Sequence, residues 1–262
     1  MDSVLFVGGG SMGSALIKAI RQSHPATLVY LEEKDVAKRD SIVSEFGVKP
    51  ADADTATKVD LIVLAVKPQD LVNVMENLNP KITSNQTVMS IAAGIKLEKL
   101  KNGLGNAGAV IRCMPNTPAL IGRGYSTISV LPDTDEIHLE RAKYLLQCAG
   151  NYQLIDESLQ DSFTAVHGSG PAYVFLLAEH LIAAAINLGV EPDLAKEAVF
   201  ETISGAAELM RSSNQDPFKL REMVTSPGGT TAAALAVFAE GDFAALVDRA
   251  LAAAKARALE LG

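Results

Sequence analysis

The chain of 262 residues has only two cysteines, Cys113 and Cys148, and both lie in apolar stretches. That number cannot build a disulfide framework, so both are expected as buried thiols in a reducing, cytoplasmic compartment. Basic charge is also in short supply: 23 Lys and Arg face 31 Asp and Glu, a net charge of −8. With no Lys/Arg cluster and no basic patch interleaved with aromatics, the sequence argues against a nucleic-acid partner. The 4 histidines are scattered, so no metal site is expected. The apolar start is short and lacks a basic flank, so no signal peptide is expected. The longest apolar segment, residues 173–188, is interrupted by Glu179, His180 and Asn187. It reads as a core or interface helix rather than a membrane span, and no membrane association is expected. What is present suits a soluble globular protein of one or two domains: 48% of residues are hydrophobic and 21% charged.

The first part of the chain alternates short Val/Ile/Leu-rich runs with helical patterns. Strands are predicted over 3–7, 28–31, 61–66, 88–91, 110–114, 125–131 and 152–155, with helical segments between them. This alternation predicts an α/β fold with a Rossmann-like, doubly wound N-terminal sheet. Near Asp156 the pattern changes. Residues 172–188, 193–211, 218–224, 230–239 and 243–259 all read as helices. The expected division is therefore a dinucleotide-binding domain over 1–156 and an all-α domain over 157–262. The helical part holds more Ala and Leu than a small bundle buries, which predicts packing against a second copy of the chain.

Two glycine-rich turns stand at opposite ends of this plan. The first, Gly8-Gly9-Gly10-Ser11-Met12-Gly13, has G-x-G-x-x-G spacing directly after the strand ending at Val7 and before a helical pattern. In that context Gly8 permits the tight turn, Gly10 admits a pyrophosphate and Gly13 allows close helix–strand packing. The second is Val224-Thr225-Ser226-Pro227-Gly228-Gly229-Thr230-Thr231, ahead of an apolar run. Gly228 and Gly229 let the backbone approach a ligand. The free N–H groups of the following helix would favour an anion such as a carboxylate. The alternative reading is an N-capped helix after a turn.

Other candidate loops follow predicted strands, at the strand ends where open α/β sheets bind ligands. Ala65-Val66-Lys67-Pro68 offers Lys67 to a ribose or phosphate oxygen, or presents a surface lysine before a proline turn. Ala92-Ala93-Gly94 is a third loop. Met114-Pro115-Asn116-Thr117-Pro118 holds Asn116 between two prolines, where its amide faces the nicotinamide region or closes an Asx turn. Glu32 lies nineteen residues after Gly13. An acid there accepts a ribose 2′-hydroxyl and repels a 2′-phosphate, while Lys34, Lys38 and Arg39 could do the reverse. In His167-Gly168-Ser169-Gly170-Pro171, Ser169 reads as an N-cap with Pro171 in the first turn. His167 reads as structural.

Taken together these segments resemble the pyrroline-5-carboxylate reductases over essentially the whole chain. The resemblance is carried by Val7–Gly13, Ala65–Pro68, Ser90–Gly94, Ile111–Pro118, Gly168–Tyr173 and, most specifically, Val224–Thr231. It implies that Val7–Met12, Ala65–Pro68 and Ile91–Ala93 line NADP(H) or NAD(H). It also implies that Ser226, Gly229, Thr230 and Thr231 hold the substrate. Two departures stand out. The family usually has Ser at the position of His167, and often has a small or hydroxylated residue where this chain has Glu32-Glu33. The second departure predicts that NADH is used at least comparably with NADPH.

The reaction so implied passes a hydride from the nicotinamide to the cyclic imine 1-pyrroline-5-carboxylate, giving L-proline in the last step of proline biosynthesis. Such an imine needs no strong protein acid, so positioning carries the catalysis. Amides at Gly229 and Thr230 with the Ser226 hydroxyl would hold the carboxylate, and the Thr231 hydroxyl the ring nitrogen. The expected assembly is a homodimer or a higher assembly of dimers. The alternatives are a 3-hydroxyacid dehydrogenase-like enzyme, which needs a lysine base, and a non-catalytic NAD(P)-binding regulator.

Overall fold

A computed structural model describes residues 1–261. The chain divides into two compact units. The first spans Met1–Pro171 and takes in the C-terminal end of the chain from Ala253 onward, and the second spans Ala172–Ala252.

The first unit is built on one eight-stranded sheet. In chain order its elements begin with β1 (Ser3–Val7), α1 (Ser11–Ser23), β2 (Leu28–Glu32), α2 (Val36–Phe46) and β3 (Lys49–Pro50). They continue with β4 (Leu61–Leu64), α3 (Leu71–Leu78), β5 (Thr87–Ser90), α4 (Leu97–Gly103) and β6 (Ala109–Met114). β7 (Gly124–Val130), α5 (Glu136–Ala149) and β8 (Gly150–Leu154) complete the sheet. The strand order is β3-β2-β1-β4-β5-β6-β7-β8. All neighbours are parallel except β6 and β7, which run antiparallel. The order reverses between β1 and β4, and such a switch point opens a crevice at the strand C-termini.

The strands form as they do because both faces are covered. Val4 and Phe6 of β1 join one apolar core with Leu16 and Ile20 of α1 and Leu139 and Leu146 of α5. Leu5 and Val7 point the other way, into a core with Leu71 and Met75 of α3 and Leu97 and Leu100 of α4. Period-two alternation on a sheet buried from both sides gives near-continuous apolar runs. The Rossmann-like sheet expected from the sequence is present, with its strand boundaries close to those predicted. The two-residue β3 was not predicted, since a pair of residues carries no periodicity.

The first unit extends past residue 156. Residues 157–187 run as one continuous helical stretch. It contains α6 (Gln160–Phe163), a π-helical turn over Thr164–Gly168 and α7 (Gly170–Asn187). Its start is fixed to the sheet by buried polar groups. Gln160 is fully buried, accepting from Thr127 Oγ1 at 2.7 Å and donating to Ser129 Oγ at 3.0 Å. Ser169 does not cap a helix start: its φ of −87° and ψ of −20° are helical, so the backbone runs through it. The hydroxyl position predicted as a break is instead the end of a π-turn, which absorbs one extra residue without ending the helix.

The second unit is helical. After α7 come α8 (Pro192–Ser213), α9 (Pro217–Met223), α10 (Thr230–Glu240) and α11 (Phe243–Glu260), whose last turns belong to the first unit. α7 has no buried residue. Phe175, Leu176 and Leu188 are 64%, 54% and 86% exposed, too much apolar surface for an isolated protomer. By length and composition alone residues 157–187 are long and apolar enough to cross a membrane.

Candidate active site

The crevice beside β1 begins with the turn after it. Gly8 has φ +101°, and a Cβ there would stand 2.6 Å from the Ala65 carbonyl oxygen. A Cβ on Gly13 would stand 2.6 Å from the Gly8 carbonyl oxygen. Both glycines therefore hold positions that no side chain could share, one for the turn and one for close approach of α1. At Gly10 a Cβ would meet nothing within 4 Å. That leaves open space above the N-terminus of α1, whose first residues are Ser11 and Met12. Unpaired amides there suit a phosphate.

A cavity of ≈ 350 Å³ opens beside this turn. It brings together Val7, Gly8 and Gly10 from the turn, Glu32 from β2, and Ala65, Val66 and Lys67 from the segment after β4. Pro68 opens the short 3-10 turn that follows. The cavity also takes in Glu33, Lys34, Lys38, Gln69, Asp70 and Val74. Of these, Gln69, Asp70 and Val74 carry no sequence signal, because their part in the crevice depends on where α3 starts.

Glu33 is the acid built into this turn. Its Oε2 accepts from the Gly9 N–H at 2.9 Å and its Oε1 from the Asp35 N–H at 3.1 Å. Lys38 Nζ stands 3.1 Å from Oε2. Partial burial works to raise its pKa, but these two amides and Lys38 together outweigh it and hold the carboxyl below its usual value. Glu32 also lines the cavity but is exposed.

The remaining predicted dinucleotide contacts lie outside this cavity's lining. Ile91, Ala92 and Ala93 follow β5, the strand beyond β4, and the Ala92 N–H donates to Ser90 Oγ at 3.3 Å. Asn116 follows β6. Its Oδ1 accepts from the Tyr125 N–H at 2.8 Å, and its Nδ2 donates to the His167 carbonyl at 3.1 Å. The amide thus ties the start of β7 to the π-turn. His167 completes this tie, with Nε2 donating to the Met114 carbonyl at 2.8 Å.

In the second unit, the turn between α9 and α10 has the form its glycines predict. Gly228 has φ +70°. The Gly229 N–H donates to the Ser226 carbonyl at 3.0 Å, and a Cβ on Gly229 would stand 2.4 Å from Ser226 Oγ. No side chain caps α10, so Thr230 and Thr231 open the helix with their amides unfilled, while the Gly229 amide is spent on the Ser226 carbonyl. Ser226, Gly228 and Thr230 are exposed, and Thr231 is half-buried. No group of three or more His, Cys, Asp or Glu placed to hold a metal ion occurs among the described residues. Cys113 is buried, and burial raises its pKa. Cys148 is half-buried, more open than predicted, since only part of its side chain reaches the α1–α5 face.

Comparison with known proteins bears on both units. A family model described as pyrroline-5-carboxylate reductase dimerisation matches residues 157–261, and one described as NADP oxidoreductase, coenzyme F420-dependent, matches residues 3–94. The pyrroline-5-carboxylate reductase of Pseudomonas aeruginosa is 38% identical, with 98% of this chain and 96% of that protein covered. A solved structure of a Coxiella burnetii pyrroline-5-carboxylate reductase aligns with a TM-score of 0.89 at 31% identity, over 99% of this chain and 98% of that one. The Plasmodium falciparum pyrroline carboxylate reductase, solved with NADP bound, aligns with a TM-score of 0.87 at 29% identity, again over 99% and 98% of the two chains. With a full-length relative at this identity, a Rossmann-like sheet and a helical segment matched to the family's dimerisation model, the chain belongs to the pyrroline-5-carboxylate reductases, a family of NAD(P)H-dependent oxidoreductases.

Proposed function

We propose that this chain reduces 1-pyrroline-5-carboxylate to L-proline with NADPH or NADH, the last step of proline biosynthesis. The observation that carries the proposal is the turn Ser226–Thr231, an uncapped helix start with a serine hydroxyl lying over Gly229. The amide at Thr230 and Ser226 Oγ hold the substrate carboxylate, with Gly228 and Gly229 keeping the turn open to it, since the Gly229 N–H is spent on the Ser226 carbonyl. Thr231 Oγ1 hydrogen-bonds the ring nitrogen and is the catalytic residue in the sense of positioning the imine. The nicotinamide supplies the hydride. Val7 through Gly13, Glu32, Ala65 through Pro68 and Ile91 through Ala93 hold the dinucleotide. The protein orients two reactants and fixes charge, and no strong acid is needed, because an imine is readily protonated.

Residues 1–156 serve as the dinucleotide-binding part and 157–262 as the substrate-binding and dimerisation part. The exposed apolar face of α7 and its neighbours is covered by a second copy, as a homodimer or an assembly of dimers, and not by lipid. Two free thiols fit a reducing cytoplasm. The negative net charge disfavours nucleic acid as a partner.

The experiment is loss of NAD(P)H absorbance on adding 1-pyrroline-5-carboxylate, run beside a 3-hydroxyacid with oxidised cofactor. Turnover of the imine alone supports the proposal. Turnover of the hydroxyacid alone would favour the dehydrogenase reading, for which α7 offers no lysine base.

A further inference from the structure

Around the end of β2 three cations each have a carboxylate neighbour, while Lys81 lines a second cavity there with Glu32. Lys38 Nζ lies 3.1 Å from Glu33, Lys34 Nζ 3.8 Å from Asp70, and Arg39 2.9 Å from Asp40. Glu32 adds an exposed carboxylate with no side-chain partner among the described residues. Lys67 lines the same cavity, but it follows β4, two strands away from β2.

Glu33 is the residue on which this arrangement turns. Its side chain is 9% exposed, so its charge is fixed in place rather than solvated at a turn. A carboxylate has about four acceptor positions. Three are filled, by the N–H groups of Gly9 and Asp35 and by Lys38. One is left, and Glu33 lines the cavity. The Gly9 amide, spent on Glu33, is withdrawn from phosphate binding, which falls to the open backbone from Gly10 onward.

We infer that Glu33, held by Lys38 and the Gly9 amide, is the residue that makes this chain select a dinucleotide with a free 2′-hydroxyl over one with a 2′-phosphate. The inference rests on the reading of this crevice as the dinucleotide site. The fourth acceptor position of Glu33 takes the ribose hydroxyl. A 2′-phosphate in the same place meets a buried carboxylate and finds Lys38 occupied. The Lys38 charge is already balanced by Glu33, so a phosphate sharing Lys38 stands beside a second anion. Selection against the phosphate is thus built from a repulsive element as well as an attractive one.

The test is equilibrium titration of the ligand-free protein with NADH and NADPH, with no substrate present. In the wild type NADH should bind about tenfold or more tightly than NADPH. Glu33→Gln keeps an acceptor for the Gly9 amide and frees Lys38, so the affinity ratio should move toward NADPH by about tenfold or more. Adding Lys38→Met to Glu33→Gln should take back most of that gain and leave NADH affinity nearly unchanged. Should the variants fold poorly by circular dichroism, competition on the wild type alone decides: 5′-AMP should displace NADH better than adenosine 2′,5′-bisphosphate. A wild type that prefers NADPH and loses that preference in Lys38→Met overturns the inference, because Lys38 then serves the phosphate. Two dinucleotides bound with a ratio that Glu33→Gln does not alter also overturn it while leaving the site reading intact. If neither dinucleotide binds, the site reading itself fails and the inference with it.

Discussion

The Arg112 guanidinium on β6 is paired with the Asp161 carboxylate on α6, and both side chains are buried, 4% and 9% exposed. Glu157 accepts from the same guanidinium at 3.3 Å and from the Leu97 N–H at 2.7 Å. This cluster ties the middle of the sheet to the first turns of the segment matched by the family's dimerisation model. It holds residues 157–171 in the first unit. A buried pair is weak support for stability as a whole, but breaking one side leaves an uncompensated charge. Arg112→Met should therefore destabilise the protein by about 3–5 kcal/mol in urea unfolding. Replacing both partners, as Arg112→Met with Asp161→Leu, should cost clearly less. Equal losses in the two variants would mean that shape, not charge, is what Arg112 contributes.

His138 gives the stability a pH dependence. Its Nδ1 is 2.7 Å from Thr87 Oγ1. Burial lowers its pKa, the Arg141 charge lowers it further, and Asp135 opposes them weakly. Between this lowered value and about 6.5 in the unfolded chain, the unfolded state binds more protons. Stability should thus be complete above about pH 6.5 and fall as the pH drops through that value. Urea midpoints at stepped pH should show a drop in the wild type that is smaller in His138→Gln. An identical pH dependence in the two proteins would contradict the assignment.

Thr231→Ala should lower kcat/KM for the imine while leaving dinucleotide affinity unchanged. Loss of one hydrogen bond to a partly charged group costs about 1.5–3 kcal/mol, or one to two decades in rate. Steady-state kinetics at saturating cofactor measures this directly. Wild-type kinetics in the variant would remove Thr231 from the mechanism.

His167 should prove structural. With Nε2 on the Met114 carbonyl, the imidazole bridges the loop after β6 and the π-turn. His167→Ser should cost about 1 kcal/mol of stability, the worth of one net hydrogen bond. The shape of the pH–rate profile should not change. Disappearance of a titration near pH 6–7, where free histidine ionises, would assign it an acid–base role instead.

The sheet and the helices of the second unit were legible because their apolar periodicities are strong and uninterrupted. The antiparallel turn from β6 into β7 was not, since Val, Ile and Thr alternate alike in either direction. The continuous helix through Ser169 was also hidden. A Gly-Ser-Gly-Pro sequence carries the marks of a helix start, and only the polar contacts of Gln160 and Asn116 show why the backbone stays helical there. Glycine spacing located both candidate loops. It could not tell which acid would reach the glycine turn. Glu32 ends β2 exposed at the cavity's edge, and the next residue, Glu33, is the one that accepts from the Gly9 amide. That distinction depends on the path of the chain between β2 and α2 over one residue.

Assembly follows from the exposed face of α7. Light scattering at micromolar concentration should show a dimer or a multiple of it. A stable, fully active monomer would mean that Phe175, Leu176 and their neighbours tolerate water and that no second copy is needed.

The most direct measurement supplies the purified protein with 1-pyrroline-5-carboxylate and reduced nicotinamide cofactor, then follows both cofactor absorbance and chiral amino-acid product. The account predicts one L-proline formed for each NADH or NADPH oxidised. Cofactor oxidation without proline, or no oxidation with either cofactor, would contradict it.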